Sequence, residues 1–108
     1  MLSAYRVMWL LVMYDLPTLS KRERKTAQDF RNFLLDEGFE MTQFSSYMKY
    51  FLGRPELSAA MKRIENNLPE AGQVYILNFT DKQYSNSVKF NCKKKSRPKR
   101  NPNQLMLF

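Results

Sequence analysis

The chain of 108 residues predicts an α+β fold with element order βαββαβ and a short extra C-terminal strand. Three observations carry this expectation. Val7 to Tyr14 is an unbroken apolar run, rich in Val, Leu and aromatics, that stops abruptly on Asp15, Leu16 and Pro17. Two amphipathic stretches follow, each opened by a helix-start signal and closed by Gly or Pro. A second strand-like run, Gln73 to Thr80, comes after the second of them.

The first run is eight residues long, far too short to span a bilayer, and reads as a strand buried on both faces. Ser20 and Glu23 form the S-x-x-E pattern of a capping box, in which hydroxyl and carboxylate satisfy backbone donors at a helix start. Ala27, Phe30, Phe33, Leu34 and Leu35 then recur at helical spacing, with Arg22, Arg24, Lys25, Gln28 and Asp29 mostly on the other side. Gly38 suits the left-handed position after the last turn.

Phe39 to Leu52 is dense in aromatics and contains neither Pro nor Gly. Its alternation loses phase between Gln43 and Ser46, which predicts an antiparallel pair or one long bent strand. Pro55 fits the first turn of a second helix. Leu57, Ala60, Met61, Ile64 and Leu68 make its apolar stripe, and Asn66, Asn67 and Pro69 stop it. Thr80 and Gln83 repeat the capping-box spacing, so a short helical turn is expected after the second strand run. Ser87 to Cys92 reads as a short edge strand. Two helices on one face of an antiparallel sheet give the split βαβ, ferredoxin-like arrangement.

Chain length bounds this to one domain with a modest core, near the size where association adds needed burial. There is no histidine, which removes Ser-His-Asp and Cys-His nucleophile systems and His-based zinc sites. The lone Cys92 excludes an internal disulfide and any Cys-cluster metal site. Hydrolytic chemistry would have to rest on carboxylates, a hard cation such as Mg2+, Tyr, Lys or Arg. No signal peptide is recognised, so a cytoplasmic location is expected.

The formal net charge of +8 is unevenly placed. Residues 1–92 hold 12 Lys+Arg against 10 Asp+Glu, whereas Lys93, Lys94, Lys95, Arg97, Lys99 and Arg100 face no acid in residues 93–108. The expected division is a ferredoxin-like domain over 1–92, a basic flexible linker over 93–103, and a docking peptide over 104–108. Such a linker can neutralise phosphates without folding. Asp15, at the mouth of the first strand, is held by rigid scaffold yet reaches solvent. It reads either as a strand-terminating turn residue or as a metal or substrate ligand.

Several segments together resemble one family. They are VMYDLP at the end of the first strand, the R-x-R pair at Arg22 and Arg24, FRNFLLDEGFEM across the first helix exit, QFSSYMKY, NNLPEAG and ILNFTDKQY. In this order and spacing they resemble the second core CRISPR adaptation proteins, the Cas-two family, in the form that accompanies type II systems. The resemblance covers roughly residues 5–91.

It implies a ferredoxin-like homodimer that docks with the CRISPR integrase and holds duplex prespacer DNA during spacer acquisition, as part of antiviral defence. It also implies a Mg2+-dependent endonuclease activity in some members, with Asp15 as catalytic and metal residue and two copies facing each other across the dimer. Tyr14 and Tyr47 match aromatic positions near that site. The resemblance further implies that Arg22, Arg24, Lys25 and Arg31 meet phosphate; the other reading is a solvated helix face with local ion pairs. Gln104, Leu105, Met106, Leu107 and Phe108 are expected to dock on the other protomer or the integrase as an added strand. They are also similar to the QLxLF peptide that holds the sliding clamp. A toxin-like metal-dependent endoribonuclease of the same fold acting alone is the alternative. No membrane partner and no base-specific reading are expected.

Overall fold

The computed structural model describes residues 7–92. The basic linker and the docking peptide expected at 93–103 and 104–108 lie outside the described residues. The order is β1 (Met8–Asp15), α1 (Lys21–Asp36), β2 (Glu40–Gln43), β3 (Ser46–Phe51), α2 (Arg54–Glu65), β4 (Gln73–Thr80) and α3 (Asp81–Ser85). The strands form one antiparallel sheet in the order β2-β3-β1-β4, which is the ferredoxin-like arrangement.

Local chemistry places these elements where the sequence puts them. Ser20 caps α1 by accepting from the Glu23 amide at 3.0 Å, while the Glu23 carboxylate accepts from the Ser20 amide at 2.8 Å. At the far end Gly38 takes φ +95°, and the Phe39 amide reaches back to the Leu34 carbonyl. Lys49 of β3 adds a cation there, donating from Nζ to the Glu37 carbonyl at 2.6 Å. Thr80 and Gln83 cap α3 in the same reciprocal way. Between β2 and β3 the phase loss is a tight turn, with Ser45 at φ +60°.

The register fixes two unlike faces. Met8, Leu10, Val12 and Tyr14 of β1 share a face with Tyr47, Lys49 and Phe51 of β3 and with Val74 and Ile76 of β4. Phe30 and Leu34 of α1 and Leu57, Ala60 and Ile64 of α2 close over that face and complete the core. Leu10, Val12, Leu34, Ala60 and Ile64 are fully enclosed. Burying each of the larger aliphatic chains contributes about 1.5–3 kcal/mol.

The opposite face carries Trp9, Leu11, Met13 and Asp15 of β1, Met48 and Tyr50 of β3, and Tyr75, Leu77 and Phe79 of β4. The two longer helices leave it uncovered. Among the described residues only α3 reaches it, at one end, where Tyr84 stacks on Trp9 with ring centroids 4.5 Å apart. Trp9 also donates from Nε1 to Asp81 at 2.9 Å, which anchors α3. The expectation that β1 is buried on both faces is therefore corrected for the single chain. A continuous apolar run needs a second layer to bury both sides, and the described residues supply one.

Three further differences are plain. Residues 87–92 form no strand, and Val88 and Phe90 stand exposed. A strand exists only within a ladder that satisfies its N–H and C=O groups, and this segment has none within the described chain. Leu68 lies beyond the end of α2 and is exposed, so the buried stripe stops at Ile64. Leu35 is also exposed, one position round the helix from Leu34.

Candidate nucleic-acid and metal site around Asp15

Asp15 is the last residue of β1, opposite Gln73 of β4. It is exposed and stands on the open face, at the edge of the uncovered apolar patch. No hydrogen bond or ion pair holds its carboxylate among the described residues, so its oxygens are available to a ligand. Its backbone, in contrast, is tightly fixed. Gly72, at φ +94°, packs so closely that an added Cβ would lie 2.5 Å from the Asp15 carbonyl oxygen.

Behind Asp15, Tyr14 points to the helix side. Its ring stacks on Tyr47 at 5.9 Å and meets Phe30 edge-on at 5.3 Å. Burial, then the hydrogen bond with Tyr47, pushes the Tyr14 hydroxyl well above the ordinary tyrosine value, while nearby Arg31 pulls it down. Tyr14 therefore stays protonated at neutral pH. It props the end of β1 from the helix side. Tyr47 is buried in the core.

Of the basic residues expected to meet phosphate, the fold keeps three together and sets Arg31 apart. Arg22, Arg24 and Lys25 sit on the first turns of α1, after the short loop that follows Asp15. Arg22 reaches Glu70 of the α2–β4 loop at 3.5 Å. Arg24 donates from Nη1 to the carbonyls of Thr18 and Leu19. Lys25 pairs with Asp29 at 3.1 Å, four residues along the same helix. Arg31 is half-buried beside Tyr14, away from this cluster. Lys93, Lys94, Lys95, Arg97, Lys99, Arg100 and residues 104–108 lie outside the described residues.

A hard divalent cation takes about six oxygen ligands. Among the described residues no group of three or more Asp, Glu, Cys or His side chains comes together. The described residues of one chain thus bring only the Asp15 carboxylate to this edge of the sheet, with no cluster of acidic side chains grouped on it. Glu70 and Gly72 are the residues that sequence reasoning missed as neighbours of the site. NNLPEAG marks a turn, but nothing in its spacing says which residues it meets. Among the described residues no helix is long and apolar enough to cross a membrane.

The family model described as CRISPR associated protein Cas2 matches residues 8–87. A CRISPR-associated endoribonuclease Cas2 from Paracidovorax avenae is 43% identical over 108 residues, covering all of both chains. One from Flavobacterium psychrophilum is 43% identical over 107 residues, 99% of this chain and 93% of that one. One from Streptococcus mutans is 39% identical over 84 residues, 78% of this chain and 77% of that one. With a family match across the whole sheet and both long helices, and relatives similar from end to end, the chain belongs to the Cas2 family of CRISPR-associated proteins.

Proposed function

We propose that this chain acts as a homodimer that holds nucleic acid during CRISPR spacer acquisition, with a Mg2+-dependent endonuclease activity centred on Asp15. The observation that carries this reading is the open face of the sheet. Trp9, Leu11, Met48, Tyr50, Tyr75, Leu77 and Phe79 make a contiguous apolar surface, and Tyr75 and Tyr50 are 66% and 55% exposed. Surfaces of this kind mark association sites. Asp15 stands at the edge of the same face, and in the proposed pairing the two Asp15 carboxylates face one another across the interface. Two carboxylates and water supply oxygen ligands for Mg2+ that one chain lacks. Because the ion competes with protons for those oxygens, its binding should weaken at acid pH.

The endonuclease part draws on the relatives, which carry the name endoribonuclease. The holding part draws on Arg22, Arg24 and Lys25 and on the six cations of residues 93–100, all suited to sequence-independent phosphate contact. The natural partners are duplex prespacer DNA and the CRISPR integrase, in the cytoplasm, with residues 104–108 as the docking peptide. Binding of that peptide to the sliding clamp is the competing assignment for the tail.

The test combines sedimentation with binding. The intact chain should sediment as a dimer and bind labelled duplex DNA with a steep salt dependence. A chain ending at Cys92 should stay dimeric and show a shallower salt slope. Pull-down with the integrase and with the sliding clamp, with and without residues 104–108, assigns the peptide. A monomer at micromolar concentration that ignores DNA, RNA and Mg2+ overturns the reading.

A further inference from the structure

We propose that Glu70 is a built-in competitor for nucleic-acid phosphate at Arg22, a role that rests on the nucleic-acid reading of α1 given above. Lys21, Arg22, Arg24 and Lys25 crowd the first five residues of α1. The positive end of the helix disfavours cations there, and Glu23, the acid among them, is engaged in the cap. Arg24 and Lys25 find partners within their own loop and helix. Arg22 instead reaches a residue 48 positions away, on the other loop that flanks Asp15.

That contact is built to open. It is a single approach of 3.5 Å between Nη2 and Oε2, and the two side chains are 83% and 85% exposed. Exposed pairs of this kind add little stability and exchange readily. A carboxylate and a phosphate diester offer the same pair of oxygens to a guanidinium fork, so one can replace the other on Arg22. Beneath the pair lies a hollow of about 270 Å3, lined in part by Leu16, Pro17, Ser20, Thr26 and Pro69. The two exposed side chains can therefore part by rotating into solvent while the backbone stays in place. Gly72, two residues beyond Glu70, packs on the backbone of Asp15 and on Leu16, so the latch belongs to the loop that holds the end of β1. An incoming strand displaces Glu70 from Arg22, and the free carboxylate then repels its neighbouring phosphates. Glu70 thereby lowers affinity and favours ligands that also engage other cations.

The experiment is a double-mutant cycle in the intact protein, read by anisotropy with labelled duplex DNA and with labelled single-stranded RNA. Glu70→Gln should tighten binding about fivefold, the size of one exposed pair. Arg22→Gln should weaken it. In the Arg22→Gln background, Glu70→Gln should lose most of its gain. Thermal melting should show all three variants folded, because both side chains lie on the surface. No gain from Glu70→Gln, or an equal gain in both backgrounds, overturns the latch while leaving nucleic-acid binding by α1 intact. If the parent protein binds neither probe, the latch and the nucleic-acid reading fall together.

Discussion

Gly72 and Asp15 meet backbone to backbone: a Cβ on Gly72 would stand 2.5 Å from the Asp15 carbonyl oxygen and 2.8 Å from a Leu16 methyl. The glycine is also held at φ +94°, a conformation that side chains disfavour. The α2–β4 turn is thus pressed against the end of β1, and this contact fixes the residue on which the proposed chemistry depends.

Gly72→Ala should therefore destabilise by about 2–4 kcal/mol, adding left-handed strain to a clash with backbone that cannot move aside. Gly38 offers the control. Its φ is +95°, but the atoms nearest an added Cβ belong to the Lys49 side chain, at 3.1 Å, rather than to backbone. Gly38→Ala should cost about 1–2 kcal/mol, the strain alone. Chemical denaturation of the two variants orders them, and a Gly72 variant as stable as the Gly38 one would show that the turn is not pressed on Asp15.

Asp15→Asn should leave stability within about 0.5 kcal/mol, since the side chain is exposed and bonds to nothing in the described fold. Binding of duplex DNA should not weaken, because removing an anion does not penalise phosphate. Any Mg2+-dependent cleavage should vanish. Cleavage that survives in a carefully repurified variant removes Asp15 from the catalytic role.

How far the sequence carried is clear from these same residues. Ser20 with Glu23 and Thr80 with Gln83 announce their caps because a capping box is complete within four residues. The span Gln73–Thr80 was legible because a β-rich apolar run and its bounding turns are local too. The partner of Arg22 was not, because chain spacing carries no record of which loop closes over which. The run at β1 misled in an instructive way. Its composition suits a strand with two covered faces, but composition does not say whether the cover comes from the same chain. The strand expected at Ser87–Cys92 failed for the same reason, since pairing is a property of neighbours.

Tyr14 sets a pH dependence whose sign follows from its environment. Its hydroxyl is raised above the ordinary value of 10.0 by burial first and by Tyr47 second. Below pH 10 both folded and unfolded chains keep the proton, and stability is unaffected. Above it the unfolded chain releases the proton while the folded chain holds it, so stability falls as pH rises. Tyr14→Phe should therefore flatten the decline of stability from pH 10 upward, as measured by urea midpoints at a series of alkaline values. An unchanged slope would place Tyr14 in water rather than behind the end of β1.

Leu77 tests the open face. It lies opposite Leu11, in the middle of the uncovered surface, and contributes nothing to the core beneath the helices. Leu77→Asp should leave the monomer folded, because a carboxylate there remains hydrated. It should abolish association, because covering the face would bury two uncompensated charges, at a cost of several kcal/mol per ion. Leu19→Asp is the matched control: Leu19 is 93% exposed on the loop before α1, away from that face. Sedimentation should find Leu19→Asp dimeric and Leu77→Asp monomeric. Loss of the dimer should also remove Mg2+ binding even though Asp15 is intact, because the second carboxylate belongs to the other copy. A Leu77→Asp variant that stays dimeric would move the interface elsewhere, and Mg2+ binding by a Leu77→Asp monomer would show that the second carboxylate is not needed.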